Sequence, residues 1–335
     1  MPSRLTLLIL SDVHYAGPAE QQRRDHESRV IRHPLLRLAA RLYRHHIWLR
    51  DPFAHNHLLG AVLAPPRAVD FAIANGDFSC DTAFIGVSDD AALQSARECL
   101  AKLRARFGKN FRATMGDHEL GKMSLIGQCG GMRLASWERA QTDLNMEPFW
   151  QMELGRYVLM GVTSSLLALP VYQHDTLPRE FAEWEKLRAE HVAVITRAFA
   201  ALHPDQRVLL FCHDPTALPF LGREAAVRER FTQIEQTIIG HLHTPLVFWQ
   251  SRLLAGLPPV RWLGHTIRRL TTALHQARHW RPFKPRLCPS LAGCELLHDG
   301  GYYLAQLDAE AREPLRFEFQ KLPRDGGRTE AARKK

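Results

Sequence analysis

Six short apolar, β-prone runs punctuate the chain, and five of them end in aspartate or histidine. The runs are Leu5–Leu10, Val69–Ala74, Phe111–Met115, Tyr157–Val162, Val208–Cys212 and Thr237–Ile239. Ser11-Asp12-Val13-His14 follows the first, Asn75-Gly76-Asp77 the second and Gly116-Asp117-His118-Glu119 the third. His213-Asp214 closes the fifth, and Gly240-His241-Leu242-His243 closes the sixth. Helical patterns over Ala91–Arg106 and Arg179–Ala201 separate several runs, and Tyr302–Leu307 and Leu315–Phe319 read as further strands. Strand and helix in alternation predict a layered α/β fold with a largely buried sheet. In such folds functional groups gather where the carboxyl ends of the strands open into loops, which is where every one of these motifs stands.

Taken singly the motifs are weak. A D-x-H triplet or a Gly-Asp pair arises often by chance, and a lone histidine at a strand end is usually a hydrogen-bonded structural residue. Together they repeat one chemistry: aspartate and histidine at successive strand ends, with a glycine placed before a ligand to let the backbone approach a crowded site. Mixed carboxylate and imidazole donors suit Mn²⁺, Fe or Zn²⁺ better than Ca²⁺, which takes oxygen ligands throughout.

The ordered set D-x-H, G-D, G-[N/D]-H-E, H and G-H-x-H, running from Asp12 to His243, resembles that of the calcineurin-like metallophosphoesterases. That resemblance implies a four-layer αββα sandwich and two divalent metal ions, with Mn²⁺ the first expectation. Asp12, His14 and His243 would hold one ion, and Asp117, His213 and His241 the other. Asp77 would bridge the two. His118 would stay free of metal and face the substrate, with Glu119 either orienting it or lying at the surface. The implied reaction is hydrolysis of a phosphoric ester or pyrophosphate, in which a hydroxide between the metals attacks phosphorus and His118 serves the leaving oxygen.

Two departures from the family pattern carry information. Asp117 stands where the family has asparagine, either as a tolerated swap or as an added anion that tightens metal binding and weakens attraction for a phosphate. The stretch Gly76-Asp77-Phe78-Ser79-Cys80-Asp81-Thr82 lacks the G-D-x-x-D-R-G of the Ser/Thr protein phosphatases, which argues against a phosphoprotein substrate.

The net charge of +9 is unevenly spread. Residues 23–50 carry eight arginines against two acids, and residues 250–286 carry seven arginines and one lysine with no acid. These two segments exceed the charge of the whole chain, so the remainder is net acidic. They fall within stretches, at about 19–66 and 246–292, longer than a strand–helix–strand connection needs, and both leave metal-bearing loops. In the first, Arg37, Arg41, Arg44 and His45 recur at helical spacing, with Leu35, Leu38, Leu42, Trp48 and Leu49 as an apolar complement. In the second lie Arg261-Trp262, Arg268-Arg269 and Arg278-His279-Trp280-Arg281. A solvated basic face is the plainest reading. Nucleic-acid binding is another, with arginine on phosphate and Trp48, Trp262 or Trp280 stacking on bases. The third, favoured by the Leu, Ile and Trp content, is a helical cap resting on an anionic membrane. Such a cap over two metals resembles the UDP-2,3-diacylglucosamine pyrophosphatases of lipid A synthesis. That resemblance implies a lipid-linked nucleotide as substrate and makes Arg37, Arg41, Arg44, Arg268 and Arg269 candidate substrate contacts. The alternative is a nuclease or nucleotide phosphodiesterase of the same superfamily.

Six scattered cysteines without a CxxC pair predict neither a zinc knuckle nor a disulfide framework, and fit a reducing compartment. The first apolar run is too short for a signal-peptide core or a membrane span, so a cytoplasmic chain, peripheral on the inner face of the membrane, is expected. A single domain over 1–322 followed by a disordered basic tail at 323–335 completes the reading.

Overall fold

The computed structural model describes residues 4–324 apart from 24–29, 32, 125–128, 261, 263 and 264. Most of the predicted tail, and Arg24, Arg29, Arg32, Arg261 and Leu263 of the basic segments, lie outside the described residues.

Ten strands form two five-stranded sheets among the described residues. They are β1 (Arg4–Leu10), β2 (Phe71–Asn75), β3 (Phe111–Thr114), β4 (Phe149–Leu154), β5 (Tyr157–Val162), β6 (Arg207–Cys212), β7 (Ile234–Ile239), β8 (Pro285–Leu287), β9 (Gly301–Asp308) and β10 (Arg316–Lys321). One sheet runs β10-β9-β1-β2-β3 and the other β4-β5-β6-β7-β8. The pairs β1–β2, β2–β3, β5–β6, β6–β7 and β7–β8 are parallel, so the carboxyl ends of β1, β2 and β3, and likewise of β6 and β7, lie at one edge of their sheet.

The layering follows from the two-residue period of the strands. In β1, Leu5, Leu7 and Ile9 join Ile73, Leu209, Phe211 and Ile238 in a core shared by the two sheets. Leu8 and Leu10 point the other way, into a core with Leu93, Ala96, Leu100 and Leu103 of the helix Asp90–Phe107. On the far side, Val208, Leu210 and Cys212 of β6 pack with Ile195 and Phe199 of the helix Phe181–Ala200. Three apolar cores stacked in this order make a four-layer αββα sandwich, as expected. Beyond the strands, an isolated parallel bridge between Ser11 and Ser290 joins the two sheets beside the motif loops.

The two basic segments differ in how they meet the sandwich. Within the first, the helix Asn56–Leu63 buries Leu58, Leu59 and Val62 in the core, so it belongs to the sandwich. The helix Pro34–His46 buries no residue at all. The second segment rejoins the fold before residue 292, because Ala277, Trp280, Phe283 and Leu287 are core residues and β8 closes a sheet edge. Burial of Trp280 against Phe248 also removes it as a base-stacking residue. Among the described residues no helix is long and apolar enough to cross a membrane.

One packing detail has a pH signature. The ring of His191, on the helix Phe181–Ala200, accepts the N–H of Thr163 at 3.1 Å and is buried. Burial lowers its pKa from 6.5 to about 4. Between those values the unfolded chain takes up a proton that the folded ring refuses, so stability falls as pH drops through this window, by about 3 kcal/mol in full. His191→Gln keeps an acceptor for Thr163 without titrating. Its urea midpoint should lose less between pH 7 and 4.5 than that of the parent chain.

Candidate metal centre

The five motif loops converge. Asp12, His14, Asp77 and His243 offer donor atoms within 4.8 Å of one another, as do Asp117, His213 and His241, and as do Asp77, Asp117 and His118. Asp77 and Asp117 each fall in two of these groups. His118, expected to stay clear of metal, comes close enough to Asp77 and Asp117 to share a group with them.

Backbone strain is concentrated here. Asp12, His14, Asp77, His241 and His243 all take positive φ, between 46° and 60°. For residues with a Cβ this region is sparsely populated, and it persists only where surroundings fix it. The glycines serve the same crowding. A Cβ on Gly240 would lie 2.0 Å from Ser11 Oγ and 2.5 Å from Asp12 Oδ2, and one on Gly76 (φ 89°) would lie 2.7 Å from His213 Nδ1.

Hydrogen bonds aim each donor inward. Asp12 Oδ2 accepts from the Ser11 hydroxyl at 2.6 Å and the His241 N–H at 3.2 Å, while its Oδ1 lies 3.2 Å from His243 Nε2. Asp77 Oδ1 accepts the N–H of His118 at 3.0 Å, and its Oδ2 lies 3.2 Å from His213 Nε2. Asp117 Oδ1 sits 3.0 Å from His213 Nε2 and 2.9 Å from His241 Nδ1. His14 Nε2 and His243 Nε2 approach to 3.3 Å.

The tautomers decide what this arrangement demands. The Asn75 carbonyl, 2.6 Å away, accepts from His213 Nδ1, so in the neutral ring the lone pair is on Nε2. That lone pair faces Asp77, Asp117 and, at 3.9 Å, Asp12. A lone pair among three carboxylates is repulsive unless a cation stands between them. Without a metal a proton fills that need: burial pushes His213 down, but Asp77 and Asp12 outweigh it and hold the ring well above its ordinary value. In the same way burial raises Asp77, with Asp117 adding to it, yet His118 and His213 outweigh both and hold the carboxyl below its usual range. Three buried carboxylates and four imidazoles turned toward each other fit two divalent cations.

Glu119 neither orients His118 nor lies at the surface. It is buried, and its carboxylate accepts three backbone N–H groups: Asp77 at 3.0 Å, Phe78 at 2.8 Å and Gly116 at 2.8 Å. It thereby fixes the loop after β2 to the loop after β3. Glu119→Ala would strand three buried donors at about 1–3 kcal/mol each, so unfolding measurements should show a loss of roughly 3 kcal/mol or more, with Glu119→Gln intermediate. His118 is positioned instead by the Ser79 carbonyl, 3.0 Å from its Nδ1.

The arginines divide. Arg44 lies close enough to bear electrostatically on Cys80, whose thiol donates to the His14 carbonyl. Arg41 and Arg268 are exposed. Arg37 is engaged elsewhere, donating to the Ile31 carbonyl from Nε and Nη2. Arg269 is paired with buried Asp175, lies over the Tyr172 ring at 5.8 Å and reaches the Met123 carbonyl. Tyr172 in turn donates to Asp214, next to His213. Arg269 thus ties the helix His265–Gln276 to the Asp117 side of the centre. On the other side the indole of Trp48, which follows the helix Pro34–His46, packs on the His243 ring with centroids 5.0 Å apart. The two basic segments therefore flank the centre from opposite sides.

Sequence reasoning missed Lys122, whose ammonium lies 3.0 Å from Asp117 Oδ2. The extra anion that Asp117 contributes has its own counter-charge. No local pattern announces this, because Lys122 reaches back across a turn at Gly121 (φ 95°).

No protein-family model matches the chain, and no curated protein matches it. Among solved structures it aligns with a dimetal phosphatase from Danio rerio at 14% identity, covering 71% of this chain and 82% of that one, with a TM-score of 0.38. It also aligns with the phosphopantetheinyl hydrolase of Mycobacterium tuberculosis at 17% identity, over 72% and 84%, with a TM-score of 0.36. Neither likeness carries the functional argument, which stands on the centre itself.

Proposed function

We propose that the chain is a dinuclear-metal phosphoesterase acting on a phosphodiester or pyrophosphate presented from an anionic lipid surface. The observation that carries the reaction class is the His213 lone pair held among Asp12, Asp77 and Asp117, with Asp77 and Asp117 each falling in two donor groups. Asp12, His14 and His243 would hold one ion, Asp117, His213 and His241 the other, and Asp77 both. Such a pair supplies Lewis acidity toward phosphoryl oxygens and a water acidic enough to ionise near neutral pH. His118 keeps its Nδ1 hydrogen on the Ser79 carbonyl, which leaves Nε2 as the atom that carries a proton to the leaving oxygen. Burial lowers the ring to about 3 despite Asp77 Oδ2 at 3.6 Å from Nε2, so the ring must first take up the proton it delivers.

Support for a lipid surface comes from the flanking segments. On the helix Pro34–His46, Leu35, Leu38 and Leu42 are 70%, 54% and 52% exposed. Trp249, Leu253, Trp262 and Leu270 of the second segment are exposed as well, Trp262 to 81%. Exposed leucine and tryptophan beside Arg41 and Arg268 match the chemistry of an interfacial helix, where apolar side chains enter the acyl boundary and arginine meets anionic headgroups. A lipid-linked nucleotide pyrophosphate of the UDP-2,3-diacylglucosamine type satisfies both halves of this reading. The metal filling that best suits the donors is Mn²⁺.

Vesicle flotation tests the lipid half. The chain should float with phosphatidylglycerol vesicles, stay behind with neutral ones, and lose flotation in the variant Leu38→Asp/Leu42→Asp. Absence of flotation, together with single-stranded DNA binding that weakens steeply with salt, would replace the lipid reading by the nuclease one.

A further inference from the structure

We infer that Lys122 is the residue that engages the phosphoryl group at this centre, held ready by Asp117 until the anion arrives; this rests on the phosphoesterase reading above. Among the described residues, Lys122 is the one lysine or arginine within 4.0 Å of any of the carboxylates Asp12, Asp77 and Asp117. The two oxygens of Asp117 divide their work. Oδ1 faces the imidazoles of His213 and His241, whereas Oδ2 faces the ammonium. An ammonium carries three hydrogens, and among the described residues Asp117 is the one partner of Lys122 Nζ. Hydrogens therefore remain for a second anion. The side chain is 31% exposed while that of Asp117 is 8% exposed, so the lysine, like His241 at 28%, stands on the open side of the site.

Its position is built. Gly121 turns the chain at φ 95°, where a Cβ would meet the Gly131 carbonyl oxygen at 2.4 Å. The following loop is pinned by the Ser124 N–H to the Cys129 carbonyl and, from the cap, by Arg269 on the Met123 carbonyl. Arg269 is thus a positioning residue for the loop that carries Lys122. Once two divalent ions draw on Asp117, its negative charge is shared, and the ammonium beside it gains attraction for a tetrahedral oxyanion. Lysine suits this as a compact point charge whose donors need no fixed plane.

The test uses the full chain loaded with Mn²⁺, elemental analysis for metal content and calorimetric titration with inorganic phosphate. Lys122→Met should hold as many ions as the parent yet bind phosphate about tenfold or more weakly, the loss of one charge-assisted contact. Lys122→Arg should recover most of that affinity. Undiminished phosphate binding by Lys122→Met would overturn the assignment and leave the phosphoesterase reading standing. Loss of metal along with phosphate would also overturn it, making Lys122 a support of the metal cluster. If the metal-loaded parent itself binds no phosphate, the phosphoesterase reading fails and takes the assignment with it.

Discussion

Asp77→Asn lowers turnover on a phosphodiester by about 10³-fold or more, corresponding to roughly 4 kcal/mol of barrier, and brings bound metal below two ions per chain. The expectation follows from position: Asp77 and Asp117 are the candidate ligands that fall in two donor groups, and Asp77 Oδ2 also lies 3.2 Å from His213 Nε2. The substitution keeps the Oδ1 acceptor for the His118 N–H and so preserves the local fold. It replaces Oδ2, the oxygen facing His213 and His118, by an amide NH₂ with no lone pair to offer a cation. Thermal unfolding separates the two effects. Added Mn²⁺ should raise the melting temperature of the parent chain, as any ligand of the folded state does, and raise that of Asp77→Asn far less. Equal metal content and equal stabilisation in both would show that Asp77 does not join the two sites.

His118→Ala should act differently, lowering turnover by about 10²–10⁴-fold while both ions remain. Two facts set this apart from the ligand substitutions. Burial lowers the ring to about 3, so it rests neutral with its hydrogen on Nδ1 toward Ser79, and Nε2 holds a lone pair that must take up a proton before it can pass one to the leaving oxygen. Nε2 is then the one nitrogen left for chemistry. Since Asp77, Asp117 and His118 form a group of their own, metal analysis of this variant decides the role. Loss of an ion would make His118 a ligand, and the proton carrier would have to be sought elsewhere.

The positions of the candidate ligands were legible in the sequence because each is local to a strand end: an apolar run stops and a polar, often glycine-led loop begins. Their convergence follows from parallel pairing of β1, β2 and β3, and of β6 and β7. What was not legible lies in contacts between distant segments. Glu119 serves N–H groups 41 and 42 residues away as well as that of Gly116, so nothing near it in sequence announces a clamp. Arg269 pairs with Asp175 across 94 residues, a tether that no local pattern announces. β4 alternates bulky and polar residues and β8 has three residues beginning with proline, so neither shows the apolar run that marks the central strands. The helix Pro34–His46 is legible as amphipathic, but amphipathicity does not say which face meets protein; the structure leaves its leucines exposed.

Metal titration of the stripped chain addresses the central claim most directly. Chain freed of metal by chelation is titrated with Mn²⁺, with bound ions counted by elemental analysis and hydrolysis of bis(p-nitrophenyl) phosphate followed in parallel. The account predicts no hydrolysis before metal is added and a plateau when two ions are bound per chain. Hydrolysis without metal, or two bound ions with no hydrolysis of any phosphoester, would contradict it.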